Sequence, residues 1–103
     1  MSPRKLSKEL LCPGCGDVLA TAVHTRWPGD LTLTAPDGTL LQPESAAVQL
    51  RRAEPDRVEF LHRHIDELIY DLRCRRGHST LRTMPQIVRA MRSTPGAWVP
   101  LDG

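Results

Sequence analysis

Cys12-Pro13-Gly14-Cys15-Gly16 and Cys74-Arg75-Arg76-Gly77-His78 are the two stretches that decide how this chain folds. The first is C-x2-C and the second C-x3-H, with fifty-eight residues between Cys15 and Cys74. Three thiols and an imidazole are soft or borderline ligands of the kind that tetrahedral zinc takes. Two distant segments must then meet at one ion, so the pattern constrains the fold. It says much less about what the protein binds.

The chain resembles a zinc ribbon, in which two cysteine-bearing knuckles on β-hairpins hold one zinc. C-P-G-C-G looks like the first knuckle, and Tyr70–His78 looks like a strand leading into the second. The likeness spans residues 10–20 and 68–82. On that resemblance Cys12, Cys15, Cys74 and His78 are the ligands of one structural Zn2+. The sequence departs from the ribbon pattern twice. Its second knuckle is C-x3-H, and the loop between the knuckles far exceeds the usual spacing of about 15–20 residues. His24, His62 and His64 are rivals for the fourth position, and proximity to Cys74 favours His78.

The chemistry of that ligand set is coherent. Three thiolates, one neutral imidazole and Zn2+ leave a charge of −1, and Arg73, Arg75 and Arg76 flank it. Four protein ligands leave no position for water, so the expected site is structural and not catalytic. The alternative, that the cysteines are buried small hydrophobes, fits a Gly-flanked C-P-G-C poorly. A haem motif needs His where Gly16 stands. A thioredoxin-like dithiol would open a helix, whereas a β-like run, Val18–Val23, follows here. Two histidines two apart, His62 and His64, would share a face on a strand, but a solvated surface is the simpler expectation.

At 103 residues the chain is expected to form one domain. A domain of this size buries only about 65% of its unfolded surface. Its aromatics are just Trp27, Phe60, Tyr70 and Trp98, so a metal staple would help a modest core. The opening Met1-Ser2-Pro3-Arg4 is polar and no apolar run reaches membrane-spanning length, which gives the expectation of a cytoplasmic protein, or one assembled inside the cell, without membrane contact. Reduced thiols fit that compartment. Arginine outnumbers lysine twelve to two, with frequent proline and alanine, the usage of a GC-rich genome such as an actinobacterium or one of its phages.

Charge is segregated. Residues 1–72 carry eight basic and eleven acidic side chains, and residues 73–103 carry six arginines against Asp102. Arg73, Arg75, Arg76, Arg82, Arg89 and Arg92 are therefore candidates for one phosphate-facing surface. No aromatic is interleaved with them, which disfavours base stacking.

Between the motifs, residues 1–9 read as a flexible or partner-bound arm. Short strands flank the first knuckle. Trp27-Pro28-Gly29-Asp30 reads as a turn, and Leu31–Thr34, a turn at 35–38 and Thr39–Leu41 read as a β-hairpin. Residues 44–54 suit a short helix capped by Ser45 and stopped by Pro55. Residues 57–64 fit helix or strand, with Asp56 and Glu59 as a capping box if helical, whereas 68–74 alternates as a strand. Met84, Ile87, Val88 and Met91 form a helical stripe opened by Pro85 and closed by Pro95-Gly96. An apolar tail, Trp98–Leu101, is expected to dock.

The expected fold class is α+β and β-rich, with zinc-ribbon-like knuckles closing a small domain, an insertion at 24–66 carrying a β-hairpin, and a C-terminal helix. No catalytic constellation or phosphate loop is present in the sequence. The expected function is a non-enzymatic, zinc-stabilised structural or interaction module docking through its insertion on a larger protein assembly, such as a bacterial or phage particle. The alternative is a nucleic-acid-binding zinc ribbon that uses the arginines.

Overall fold

The computed structural model of the chain describes residues 5–25 and 30–101. In chain order its elements begin with β1 (Lys5–Leu11), β2 (Val18–Thr25), β3 (Leu31–Thr34), β4 (Leu40–Leu41) and β5 (Glu44–Ser45). Two helices follow, α1 (Ala46–Leu50) and α2 (Pro55–Arg63), then β6 (Leu68–Arg73), β7 (Ser79–Thr83), α3 (Met84–Ser93) and β8 (Trp98–Pro100). The strands form two sheets, one ordered β4-β3-β2-β1-β8 and one ordered β5-β6-β7. The fold is α+β and β-rich.

Period-two alternation builds the larger sheet. Leu6, Lys8 and Leu10 of β1 stand opposite His24, Ala22 and Ala20 of β2. Across β2, Ala22 faces Leu33 and His24 faces Leu31. On the other side of β1, Leu10 pairs with Val99 of β8, a parallel neighbour. This inner face packs on Ile87 and Met91 of α3 and on Tyr70 and Leu72 of β6. The opposite face of β6 and β7 presents Ile69 and Leu81, which pack with Ala46 and Leu61 from α1 and α2 in a second cluster. The smaller sheet is thus buried on both faces.

Local signals set the helix starts. The Ser45 hydroxyl accepts from the Val48 amide at 3.2 Å, as expected of an N-cap. Thr83 and Gln86 form a reciprocal capping box at α3, with bonds of 2.9 and 3.2 Å. At α2 the cap is Glu54, with no side-chain bond, so the box expected from Asp56 and Glu59 does not form.

Several expectations need correction. Lys5–Glu9 is not an arm but most of β1, paired residue by residue with β2 in the larger sheet. Lys8 hides this in sequence, because its stem lies in the core and only its ammonium seeks a partner. Lys8 is 8% exposed, and its Nζ donates to the Thr94 carbonyl just past α3. Pro55 does not stop a helix; it starts α2, at a first-turn position where proline is tolerated. Residues 57–64, open to either reading, lie in α2 and its C-cap. The hairpin at 31–41 and the strand at 68–73 form as expected. The middle of the chain is shared out, since β3 and β4 extend the sheet of β1 and β2 while β5 joins that of β6. Residues 1–4 of the expected arm, and 27–29 of the expected turn, lie outside the described residues.

Candidate metal centre

Two hairpin turns carry the ligands. Residues 12–17 join β1 to β2, and residues 74–78 join β6 to β7. In the first turn the Cys12 amide donates to the Asp17 carbonyl and the Gly16 amide to the Cys12 carbonyl, both at 2.8 Å. In the second, the Cys74 amide donates to the His78 carbonyl at 3.1 Å and the Gly77 amide to the Cys74 carbonyl at 3.0 Å. Gly16 (φ 77°) and Gly77 (φ 85°) supply the left-handed residue at which each turn reverses.

The ligand atoms of Cys12, Cys15, Cys74 and His78 all lie within 4.8 Å of one another. His78 Nδ1 is 3.8 Å from Cys12 Sγ. Cys12 and Cys74 are buried, Cys15 is half-buried and His78 is exposed. All three cysteines are free of disulfides. The group can hold one metal ion, with ligands drawn from both sheets.

Gly14, expected only to let the backbone curl around a metal, has a second role that the sequence reading missed. A Cβ there would lie 3.2 Å from His78 Nδ1 and 3.4 Å from Cε1, so the bare glycine lets the imidazole lie against the first turn. The readable signal was its place between the two cysteines.

Without metal the thiols differ sharply. The Asp17 amide favours the Cys15 thiolate, yet burial and the neighbouring Cys12 and Cys74 sulfurs outweigh it and push the thiol up to about 11. Burial opposes ionisation of Cys74, but the backbone N–H groups of His78 and Arg76, helped by Cys15 and Cys12, bring it down to about 7. Amides aimed at Cys74 are already arranged to stabilise a thiolate.

The rival histidines lie elsewhere. His24 is buried on the inner face of β2. His62 is exposed on α2, and His64, just past its end, bonds Glu67. Because this segment is helical, His62 and His64 do not share a strand face. Among the described residues Cys12, Cys15, Cys74 and His78 form the only candidate metal cluster.

The arginines of the C-terminal third have different surroundings. Arg73 pairs with Asp71 at 3.2 Å. Arg82 donates to the Leu81 carbonyl at 2.7 Å and also to that of Leu101, tying the chain's tail to β7. Arg75 and Arg76 are exposed in the second knuckle. Arg89 and Arg92 instead line a groove with His24. Six strand positions of β2 separate His24 from Val18 at the first knuckle, about 20 Å at the rise of an extended strand.

No helix among the described residues is long and apolar enough to cross a membrane. Comparison with known proteins finds no matching family model, no similar curated protein and no similar solved structure.

Proposed function

We propose that this chain is an interaction module whose two sheets are stapled by one structural Zn2+ and which docks on a larger protein assembly. The observation that carries the reading is the convergence of four ligand atoms within 4.8 Å at the junction of two hairpins. Zinc with bonds of about 2.3 Å to sulfur and about 2.0–2.1 Å to nitrogen holds tetrahedral ligands about 3.5–3.8 Å apart, and the 3.8 Å between Cys12 Sγ and His78 Nδ1 suits that span. The chain's part is to present Cys12, Cys15 and Cys74 as thiolates and His78 through a neutral ring nitrogen. Four protein ligands favour a closed structural site over a catalytic one.

The energetics support a staple. Structural zinc contributes on the order of 10 kcal/mol to folding, comparable to the whole net stability of a small domain, roughly 5–15 kcal/mol. The docking reading draws support from exposed apolar side chains, among them Trp98 at 64% and Leu68 at 55% exposure. The nucleic-acid reading draws on Arg75 and Arg76, exposed beside the site, while Arg73 and Arg82 are engaged by Asp71 and by backbone carbonyls.

Cobalt(II) titration of the metal-free protein, with DNA and RNA binding measured at two salt concentrations, tests both readings. A tetrahedral thiolate–cobalt spectrum at one ion per chain, and no salt-sensitive binding, support the module. Octahedral or absent cobalt bands sink the staple. Binding that falls steeply with salt and needs Arg75 and Arg76 moves the function to nucleic acid.

A further inference from the structure

The groove between α3 and the knuckle-distal end of β2 has a volume of about 580 Å³ and opens widely to solvent. Met84, Pro85 and Val88 give it an apolar floor, and Arg89 and Arg92 stand along α3 above it. Met84 is 41% exposed although its side chain is fully apolar. Neither arginine forms an ion pair with a described residue. This contrasts with Arg52, Arg57, Arg63 and Arg73, which all have carboxylate partners.

His24 supplies a second, independent observation. It is 7% exposed, it lines the groove, and its ring forms no hydrogen bond with a described residue. Its imidazole is thus a polar group that a ligand lying in the groove can reach. The ring lines the same groove as two guanidinium groups that pair with no carboxylate among the described residues, and carboxylates are the natural partners of such a rim.

We infer that this groove docks a segment of a partner protein that sets aliphatic side chains beside one or more carboxylates. The inference rests on the docking reading above and names the partner's chemistry. The apolar floor calls for aliphatic side chains, and the cationic rim calls for acidic ones. Nucleic acid fits less well, because no aromatic among the lining residues offers a stacking surface. A small free ligand fits less well too, because such ligands are mostly enclosed by their pockets, whereas an amphipathic helix lies along an open groove.

The test is titration of the isotope-labelled, zinc-loaded full chain with an amphipathic peptide of leucine and glutamate, read by amide and histidine-ring nitrogen shifts. Its leucine–lysine counterpart and a single-stranded oligothymidylate are run alongside. The acidic peptide is expected to shift α3 amides and the His24 ring, and to bind about tenfold or more weakly to the Arg89→Glu/Arg92→Glu variant. Met84→Ser weakens it as well, whereas Arg51→Glu, just past the end of α1, leaves it unchanged. Equal binding of the lysine peptide, shifts mapping away from α3, no binding of either peptide, or preferential binding of the oligonucleotide in this groove overturns the inference. Zinc content measured on the same samples keeps this result separate from the staple, since a zinc-loaded folded chain that ignores the peptide refutes the groove alone.

Discussion

His78 Nδ1 lies 3.8 Å from Cys12 Sγ although sixty-six positions separate the two residues in the chain. The contact brings the β6–β7 turn against the β1–β2 turn, and Gly14 makes room for it. A methyl group at Gly14 would stand 3.2 Å from the same ring nitrogen. Gly14→Ala is therefore expected to lower metal affinity by about 10–100-fold, the range seen when a ligand's supporting shell is disturbed. Competition with a chromophoric chelator measures this. Gly16→Ala meets nothing within 4 Å but sits at φ +77°. It should cost about 1–2 kcal/mol through backbone strain, with or without metal.

Lys8 should matter more than its polarity suggests. Its stem lies in the core and its ammonium reaches the Thr94 carbonyl at the end of α3, where a cation also complements the helix dipole. Lys8→Ala is expected to destabilise by about 2–3 kcal/mol, from lost packing together with a lost charge-assisted bond. Lys8→Met keeps the stem and should cost about half as much. Urea denaturation of the zinc-loaded protein distinguishes the two.

Gln49 joins α1 to the smaller sheet. Its side-chain amide donates to the Ile69 carbonyl at 2.9 Å and the Glu44 carbonyl at 3.2 Å, and the residue is 8% exposed. Gln49→Met conserves volume but strands two carbonyls. The expected loss is about 1–3 kcal/mol, and amide hydrogen exchange should speed up in β5 and β6 before the larger sheet responds.

The metal-free thiols make a pH prediction. Cys74 is drawn down from 9.0 to about 7 against its burial, chiefly by the amides of His78 and Arg76. A folded value below the unfolded one gives stabilisation that is complete above the unfolded value and lost as pH falls through about 7. Cys15, raised to about 11, acts in the opposite sense, and its contribution is lost as pH rises through that value. Thiolate ultraviolet absorbance of the chelated protein should show one cysteine ionising near neutrality, and Cys74→Ser should abolish that step. A first step near the ordinary thiol value would contradict the arrangement.

Much of the architecture was legible where one residue type has one job. The two turns carry Cys, Gly and His at metal-ligand spacing, and those residues meet. Leu31–Leu41 alternates around a glycine turn and forms a hairpin, and the Met84–Met91 stripe forms the helix that covers the sheet. Residues with two compatible roles misled. Lys8 looks like solvent-facing charge but is an inward strand position with a snorkelling head. Pro55 ends or begins a helix with equal ease, and only the Leu61 contact with Ile69 and Leu81 selects the second. The arginines could not be placed from sequence, because which of them share a surface depends on the path of β7 and α3. Arg82 is taken up by the Leu101 carbonyl, and Arg89 and Arg92 go to the far end of the sheet.

The central claim is that one zinc closes this fold through Cys12, Cys15, Cys74 and His78. Native mass spectrometry of the purified chain and of Cys74→Ser, with circular dichroism on the same samples, tests it most directly. The account predicts one zinc per wild-type chain, loss of that metal in the variant or after chelation, and a markedly lower melting temperature in both metal-free samples. A wild-type chain that stays folded and equally stable without metal would contradict it.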